Sequence, residues 1–312
     1  MIHLSPNDWT WFHFEDDHDQ NILSMLQSNK DCMAWYETLE SQESNFLSVE
    51  PFLSYSPIMK GSCVYYQHVH NREESELFHF YITEKMLVTV GLKFEMLEHS
   101  TIEHVLAEMK LSHHAIEAFF VILSELVKNY LYNIDDFELK LNQLLWDIRK
   151  HNNINILENI HQRRHELLIW KNMIIPLKEI LIGLEEICDE DVFHLPQINR
   201  FNKKIKRCAM LLDEYQQEID ALVNLEDVVS NFRGNSIMKT LTVLTTLFTP
   251  VSAWGALWGM NFKHMPELGW KYGYLFSIVI ISLNTILLYI YLYKKGWTGD
   301  ILKVNKKHTF FK

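Results

Sequence analysis

The chain has 312 residues, a soft prior for two domains or one domain with an appendage. With Gly at 10 and Pro at 7 it is poor in breakers, which argues for long helices and against a turn-rich sandwich, a collagen or a low-complexity linker. A net charge of −11 argues against broad nucleic-acid binding, because neutralising phosphates needs a basic face.

The first residues, MIHLSPNDWTWFHF, lack a basic n-region and a long apolar h-region, so no cleavable signal is expected. Residues 1–100 read as a mixed α/β head. Strands are expected at 10–14, 63–68, 77–83 and 86–90, and helices at 21–28 and 31–41. Trp9, Trp11, Phe12 and Phe14 read as core of this head rather than a ligand cage.

Residues 101–195 read as helical, with breaks near 133–135 and 151–155 and at Pro176. The acidic run Glu185, Glu186, Asp189, Glu190 and Asp191 then ends at Pro196, which marks a boundary. Beyond it Ile198, Phe201, Ile205, Cys208, Leu212, Tyr215, Ile219 and Leu222 alternate steps of three and four. That is an a/d seam, expected on a bundled or self-associating stalk helix over 196–235. No Pro interrupts 197–249, so one helix of about 90 Å can carry on from the stalk into the next segment.

That segment changes character. Residues 240–262 and 272–293 contain no Asp, Glu, Lys, Arg or His. At a rise of about 1.5 Å each run spans a hydrocarbon core of about 30 Å. The spans are expected over 236–258 and 272–293, joined by an external loop over 259–271; buried core helices are the alternative. Arg233 and Lys239 precede the first span, and Lys294, Lys295, Lys303, Lys306, Lys307 and Lys312 follow the second, in a basic tail over 294–312. The positive flanks put both termini in the cytoplasm, in a two-span protein of the plasma or inner membrane. The four cysteines, Cys32, Cys63, Cys188 and Cys208, form no CxxC and fit reduced thiols on that side.

Two spans cannot enclose a water-filled pore, so conduction requires self-association. Met238, Thr242, Thr245, Thr249, Ser252 and Ala256 fall on one face of the first span. Hydroxyls on one face meet water or another helix rather than lipid. Pore lining and helix packing both fit this stripe. Pro250 is a candidate kink, and Asn284 a candidate interhelix hydrogen bond.

Catalysis finds little support. His161/His165, His113/His114 and His68/His70 suit metal ligation only with a third ligand that the spacing does not supply. HExxH, GxSxG, GxGxxG and the Walker motif are missing, so neither an enzyme nor an organic cofactor is expected.

The connecting segment is the most specific feature. It reads Gly259-Met260-Asn261-Phe262, then Met265-Pro266-Glu267-Leu268, between two terminal spans. Asn235, Met238-Lys239 and Leu241-Thr242 precede it, and Lys294-Lys295-Gly296-Trp297 closes the second span. This pattern resembles the CorA family of magnesium and cobalt channels, most strongly over 235–297. The resemblance implies an α+β cytosolic head with long helices, and a stalk helix continuous with the first of two C-terminal transmembrane helices, assembled as a homopentameric funnel in the lipid bilayer. It implies that Gly259, Met260 and Asn261 form the outer selectivity site and that Thr249 and Ser252 lie in mid-pore. Met238 and Leu241 would be an apolar gate, Asn235 the cytoplasmic mouth, and Lys294 and Lys295 a basic collar. The function implied is passive, potential-driven influx of Mg²⁺, with Co²⁺ and Ni²⁺ sharing the path. A zinc or other divalent-metal transporter, or a non-conducting cation sensor, is the alternative.

The chain departs from the family pattern in three places. Thr249 stands where Met is usual, Lys263 follows Gly-Met-Asn-Phe where an acid is usual, and Arg200 occupies the place of a cation-sensing acid after the stalk proline. Asp189, Glu190 and Asp191, or Asp213, Glu214 and Glu218, are substitute positions for a regulatory Mg²⁺; a solvated acidic face is the preferred reading of both groups.

Overall fold

The computed structural model describes residues 2–6, 8–15, 29–50, 57–150, 154–188, 192, 194–261 and 263–298. Six strands form one mixed sheet: β1 (Ile2–Leu4), β2 (Thr10–Phe14), β3 (Phe46–Glu50), β4 (Ile58–Gln67), β5 (Ser75–Ile82) and β6 (Met86–Val90). Their order is β1-β2-β6-β5-β4-β3. Only β2 and β6 run parallel; every other pair is antiparallel. The helices are α1 (Lys30–Tyr36), α2 (Ile102–Met109), α3 (Ala115–Lys150), α4 (Ile154–Ile187), α5 (Pro196–Trp258) and α6 (Gly273–Lys294).

The period-2 alternation of the strands sorts side chains onto two faces. One face takes α1, whose Cys32 and Trp35 join Phe14, Leu39, Tyr81, Val88 and Val90 in a buried cluster. Asn29 caps α1 by accepting from the amides of Asp31 and Cys32, both at 3.1 Å. The other face is aromatic. Phe80 lies 4.7 Å from Phe119 of α3, and Tyr130 of α3 donates to the Tyr65 carbonyl at 2.9 Å. Each such aromatic, once buried, contributes about 1.5–3 kcal/mol.

The strands expected at 63–68 and 77–83 lie within β4 and within β5 and its flank. β1 and β3 are additions. The helix expected at 31–41 ends at Tyr36 and is followed by a 3-10 turn at Leu39–Ser41; the one expected at 21–28 lies outside the described residues. No break occurs at 133–135. Ile134, Phe137 and Leu141 keep the buried stripe in register, while Asp136 pairs with Lys140 one turn on at 2.5 Å. Pro176 sits inside α4 without ending it. The lost hydrogen bond is offset there by full burial of Leu177 and Leu184.

The stalk begins at Pro196, where proline's missing N–H costs nothing. All eight residues of the expected seam, from Ile198 to Leu222, are buried. They lie on α3 and α4: Phe201 meets Phe120 at 5.1 Å and Tyr215 meets Phe137 at 5.9 Å. Polar ties accompany them. Lys204 donates to the Ser124 carbonyl at 3.2 Å and Tyr215 to Glu138 at 2.7 Å.

The chain divides into two compact units between Asp220 and Ala221. In the second, α5 and α6 each contain a window long and apolar enough to cross a membrane, with mean hydropathy 1.3 and 2.2. Only 11% and 6% of those windows are buried. A core helix hides most of its surface, so these two have no core to belong to, and lipid is the solvent that suits them.

Candidate functional site

The first span presents two faces. Val243 and Pro250 are buried, and Trp254 and Trp258 half-buried, along one of them. Asn235, Met238, Leu241, Thr242, Thr245, Thr249, Ser252 and Ala256 are all exposed. The structure therefore brings every expected pore-lining residue to accessible surface of one helix and leaves the opposite face to cover. On α6 the less exposed residues, Gly273, Ser277, Ile280, Ile281, Asn284, Thr285, Leu288 and Leu292, also follow three–four spacing. Asn284 is on that face.

The hydroxyls of the stripe are not loose. Thr242 donates to the Met238 carbonyl and Thr245 to the Leu241 carbonyl, each at 2.8 Å. Thr249 donates to the Thr245 carbonyl at 2.9 Å. The protons point into the helix, so the oxygen lone pairs face outwards as acceptors. A hydrated cation presents donors, so this arrangement suits it. The sequence gives the face of these residues but not this back-bonding, which is a choice of rotamer.

The helix ends where the motif begins. The Gly259 amide donates to the Gly255 carbonyl at 3.0 Å, and Met260 tightens the last turn by donating to Leu257 at 3.4 Å. A Cβ at position 259 would stand 3.0 Å from the Gly255 carbonyl, a close approach that glycine relieves. Met260 and Asn261 follow, both exposed. Pro266–Gly269 forms a 3-10 turn before α6.

Aromatic rings cluster at both ends of the hairpin, a pattern that the composition carried and the reading of motifs passed over. Trp254 stacks on Trp258 at 5.1 Å, and Trp270 meets Phe276 at 5.5 Å. At the far end Tyr289 stacks on Tyr293 at 6.4 Å. From Tyr274 to Tyr293 a helix rises about 28 Å, close to a hydrocarbon thickness of about 30 Å. Amphipathic rings favour the two interfaces of a bilayer.

Lys294 ends α6 and Lys295 caps it, its ammonium 5.9 Å over the Tyr291 ring. Gly296, with φ of 74°, turns the chain out: its amide donates to Tyr293 and that of Trp297 to Leu292. The tail lysines at 303, 306, 307 and 312 lie outside the described residues.

The acidic positions separate. Asp189, Glu190 and Asp191 lie outside the described residues. Asp213 is taken by the Lys171 ammonium at 2.8 Å, a hydrogen bond that holds its carboxyl below the usual range. Glu214 and Glu218 are exposed one turn apart. Among the described residues no group of three His, Cys, Asp or Glu side chains is placed to hold a metal ion. The thiols of Cys32 and Cys208 are pushed up to about 12 by burial, and Cys63 higher, which leaves them protonated and inert.

Three comparisons bear on this geometry. The sequence matches the family described as "CorA-like Mg2+ transporter protein" over residues 6–295. It is 39% identical over 302 residues to the magnesium transport protein CorA of Bacillus subtilis (strain 168), covering 96% of this chain and 95% of that one. It is 25% identical over 182 residues to the cobalt/magnesium transport protein CorA of Thermotoga maritima, covering 57% and 51%. In fold it is similar to the CorA magnesium transporter from Methanocaldococcus jannaschii, with a TM-score of 0.64 at 16% identity over 95% of this chain and 93% of that one.

Proposed function

The chain belongs to the CorA-like Mg²⁺ transporter family, and from that premise we propose that it is a homopentameric channel passing Mg²⁺ passively into the cytosol. Co²⁺ and Ni²⁺ share the path, and both termini are cytoplasmic. Zn²⁺ is not favoured, because Met260-Asn261 keeps the magnesium-type mouth.

The observation that carries the reading is the first span, whose exposed stripe of outward acceptors ends at an exposed Asn261. Mg²⁺ sheds its water reluctantly. A ring of Asn261 carboxamides, one from each protomer, offers neutral oxygens to the hydration shell. It selects without the deep trap that a ring of carboxylates would make. Gly259 lets the helix ends approach the axis. Thr249 and Ser252 continue the acceptors through mid-pore. Met238 and Leu241 narrow the path with apolar side chains that close it by dewetting. Asn235 receives the ion at the cytoplasmic mouth, inside the collar of Lys294 and Lys295. Influx draws on the membrane potential, about 4.6 kcal/mol for a divalent ion crossing 100 mV.

The experiment is Mg²⁺ uptake into proteoliposomes under an inside-negative potential, with native protein and Asn261→Ala. Potential-driven uptake abolished by the substitution is the expected result. Absence of uptake by a folded native oligomer at low internal Mg²⁺ overturns the channel. Uptake that the substitution leaves unchanged keeps the channel and removes Asn261 from it.

A further inference from the structure

Beside the turn that joins β4 to β5, and against the middle of α3 and α4, lies a cavity of about 330 Å³ remote in sequence from the transport stripe. Two of the side chains lining it hold a buried polar atom without a hydrogen-bond partner among the described residues: Asn129 Oδ1 on α3 and Trp170 Nε1 on α4. Asn129 is only 7% exposed. A buried group left unsatisfied costs about 1–3 kcal/mol, so one such atom calls for an explanation. Here there are two at one cavity, and they are complementary: one accepts, the other donates.

The surroundings are fixed. Tyr130 meets the Trp170 ring edge-on at 5.8 Å and is itself anchored through its hydroxyl to the Tyr65 carbonyl. The charges lining the cavity are already spent on one another. Lys140 lies 2.5 Å from Asp136 and 4.0 Å from Glu166, and Arg163 pairs with Glu166 as well. With Glu98, the acids outnumber these two bases. No cation is left over for a phosphate. The occupant must therefore be uncharged, must carry a donor beside an acceptor, and must suit the aromatic rings of Tyr66 and Trp170. The volume falls in the range of small-molecule sites, and ring stacking contributes about 1–3 kcal/mol for a base.

We propose that this cavity binds an uncharged nucleoside, whose base edge accepts from Trp170 Nε1 and donates to Asn129 Oδ1. Binding ties the β4–β5 turn to α3 and α4, and it stands or falls apart from conduction.

The test uses the full-length protein in detergent, titrated calorimetrically with adenosine, guanosine, cytidine and uridine, and with adenosine 5′-monophosphate. Saturable binding of at least one nucleoside, weakened tenfold or more by both Asn129→Leu and Trp170→Phe, is expected; the monophosphate binds more weakly than adenosine. Thermal unfolding separates this from a folding defect. Asn129→Leu replaces an unsatisfied amide by an isosteric apolar group, so the unliganded variant melts no lower than native, and only native protein is stabilised by the nucleoside. Three outcomes overturn the proposal: no saturable binding of any nucleoside at millimolar concentration to folded protein, binding that both variants leave unchanged, or a monophosphate that binds more tightly than its nucleoside.

Discussion

The Thr249 hydroxyl donates to the Thr245 carbonyl at 2.9 Å, one turn back along the first span. Its proton is thereby occupied and its lone pairs are turned away from the helix. The residue is the one departure from the family pattern that lies in the middle of the stripe, and the geometry makes it an acceptor rather than a donor. Thr249→Val keeps the shape and removes the oxygen. Losing one accepted hydrogen bond of about 0.5–1.5 kcal/mol lowers Mg²⁺ flux by roughly twofold to tenfold. Thr249→Ser keeps native flux. Equal uptake by all three proteins in proteoliposomes would remove Thr249 from the conduction path.

Leu222 is the last buried residue of the stalk seam, and beyond it Val228 is 65% and Phe232 63% exposed. Large apolar side chains on one helix face, left open in a single chain, are what self-association covers. Val228→Asp is predicted to shift the purified protein from pentamer to smaller species, read by light scattering of the detergent-solubilised protein. A pentamer of unchanged mass and thermal stability counts against this part of the helix as an interface.

Gly61 on β4 has no room for a side chain. A Cβ there would stand 2.3 Å from the Phe46 carbonyl and 2.9 Å from Phe80. The first contact is backbone of the neighbouring strand, which cannot turn aside. Gly61→Ala is expected to destabilise the head by about 2 kcal/mol or more and to lower the unfolding midpoint by several degrees. A midpoint unchanged within a degree would refute the packing described.

His13 supplies a pH dependence. Burial pushes its imidazole down to about 4 from 6.5, and its Nδ1 lies 3.0 Å from the Thr89 hydroxyl, which also accepts from Trp11. A base with a lowered folded pKa holds fewer protons folded than unfolded. Its contribution is therefore complete above pH 6.5 and is lost as pH falls towards 4, to the extent of about 3 kcal/mol. Denaturant unfolding between pH 7 and pH 4.5 reads it as the difference between native protein and His13→Leu. Parallel pH profiles for the two would show that His13 titrates normally.

Much of the second unit was legible because its signals are local. Charge-free runs, the Gly259-Met260-Asn261 motif and the spacing of Met238, Thr242, Thr245 and Thr249 all lie along one helix and its end. The head was harder. β2 and β6 could be read from alternation, but β3 could not, because Phe46–Glu50 gains its place only by pairing with β4 across the chain. The expected breaks at 133–135 and Pro176 failed for a related reason: burial along α3 and α4 outweighs the local preference of Asn, Asp and Pro.

The stalk and span were determined by sequence alone, since a periodicity of three and four, or an absence of charge, acts residue by residue along a single helix. Only the tertiary structure decided that Asp213 belongs to Lys171, that the β2–β6 pair is parallel, and that Asn129 and Trp170 share one cavity. Those relationships join residues tens of positions apart. They depend on which elements pack together and on the rotamers left open at each contact, and neither is written in any short stretch of chain.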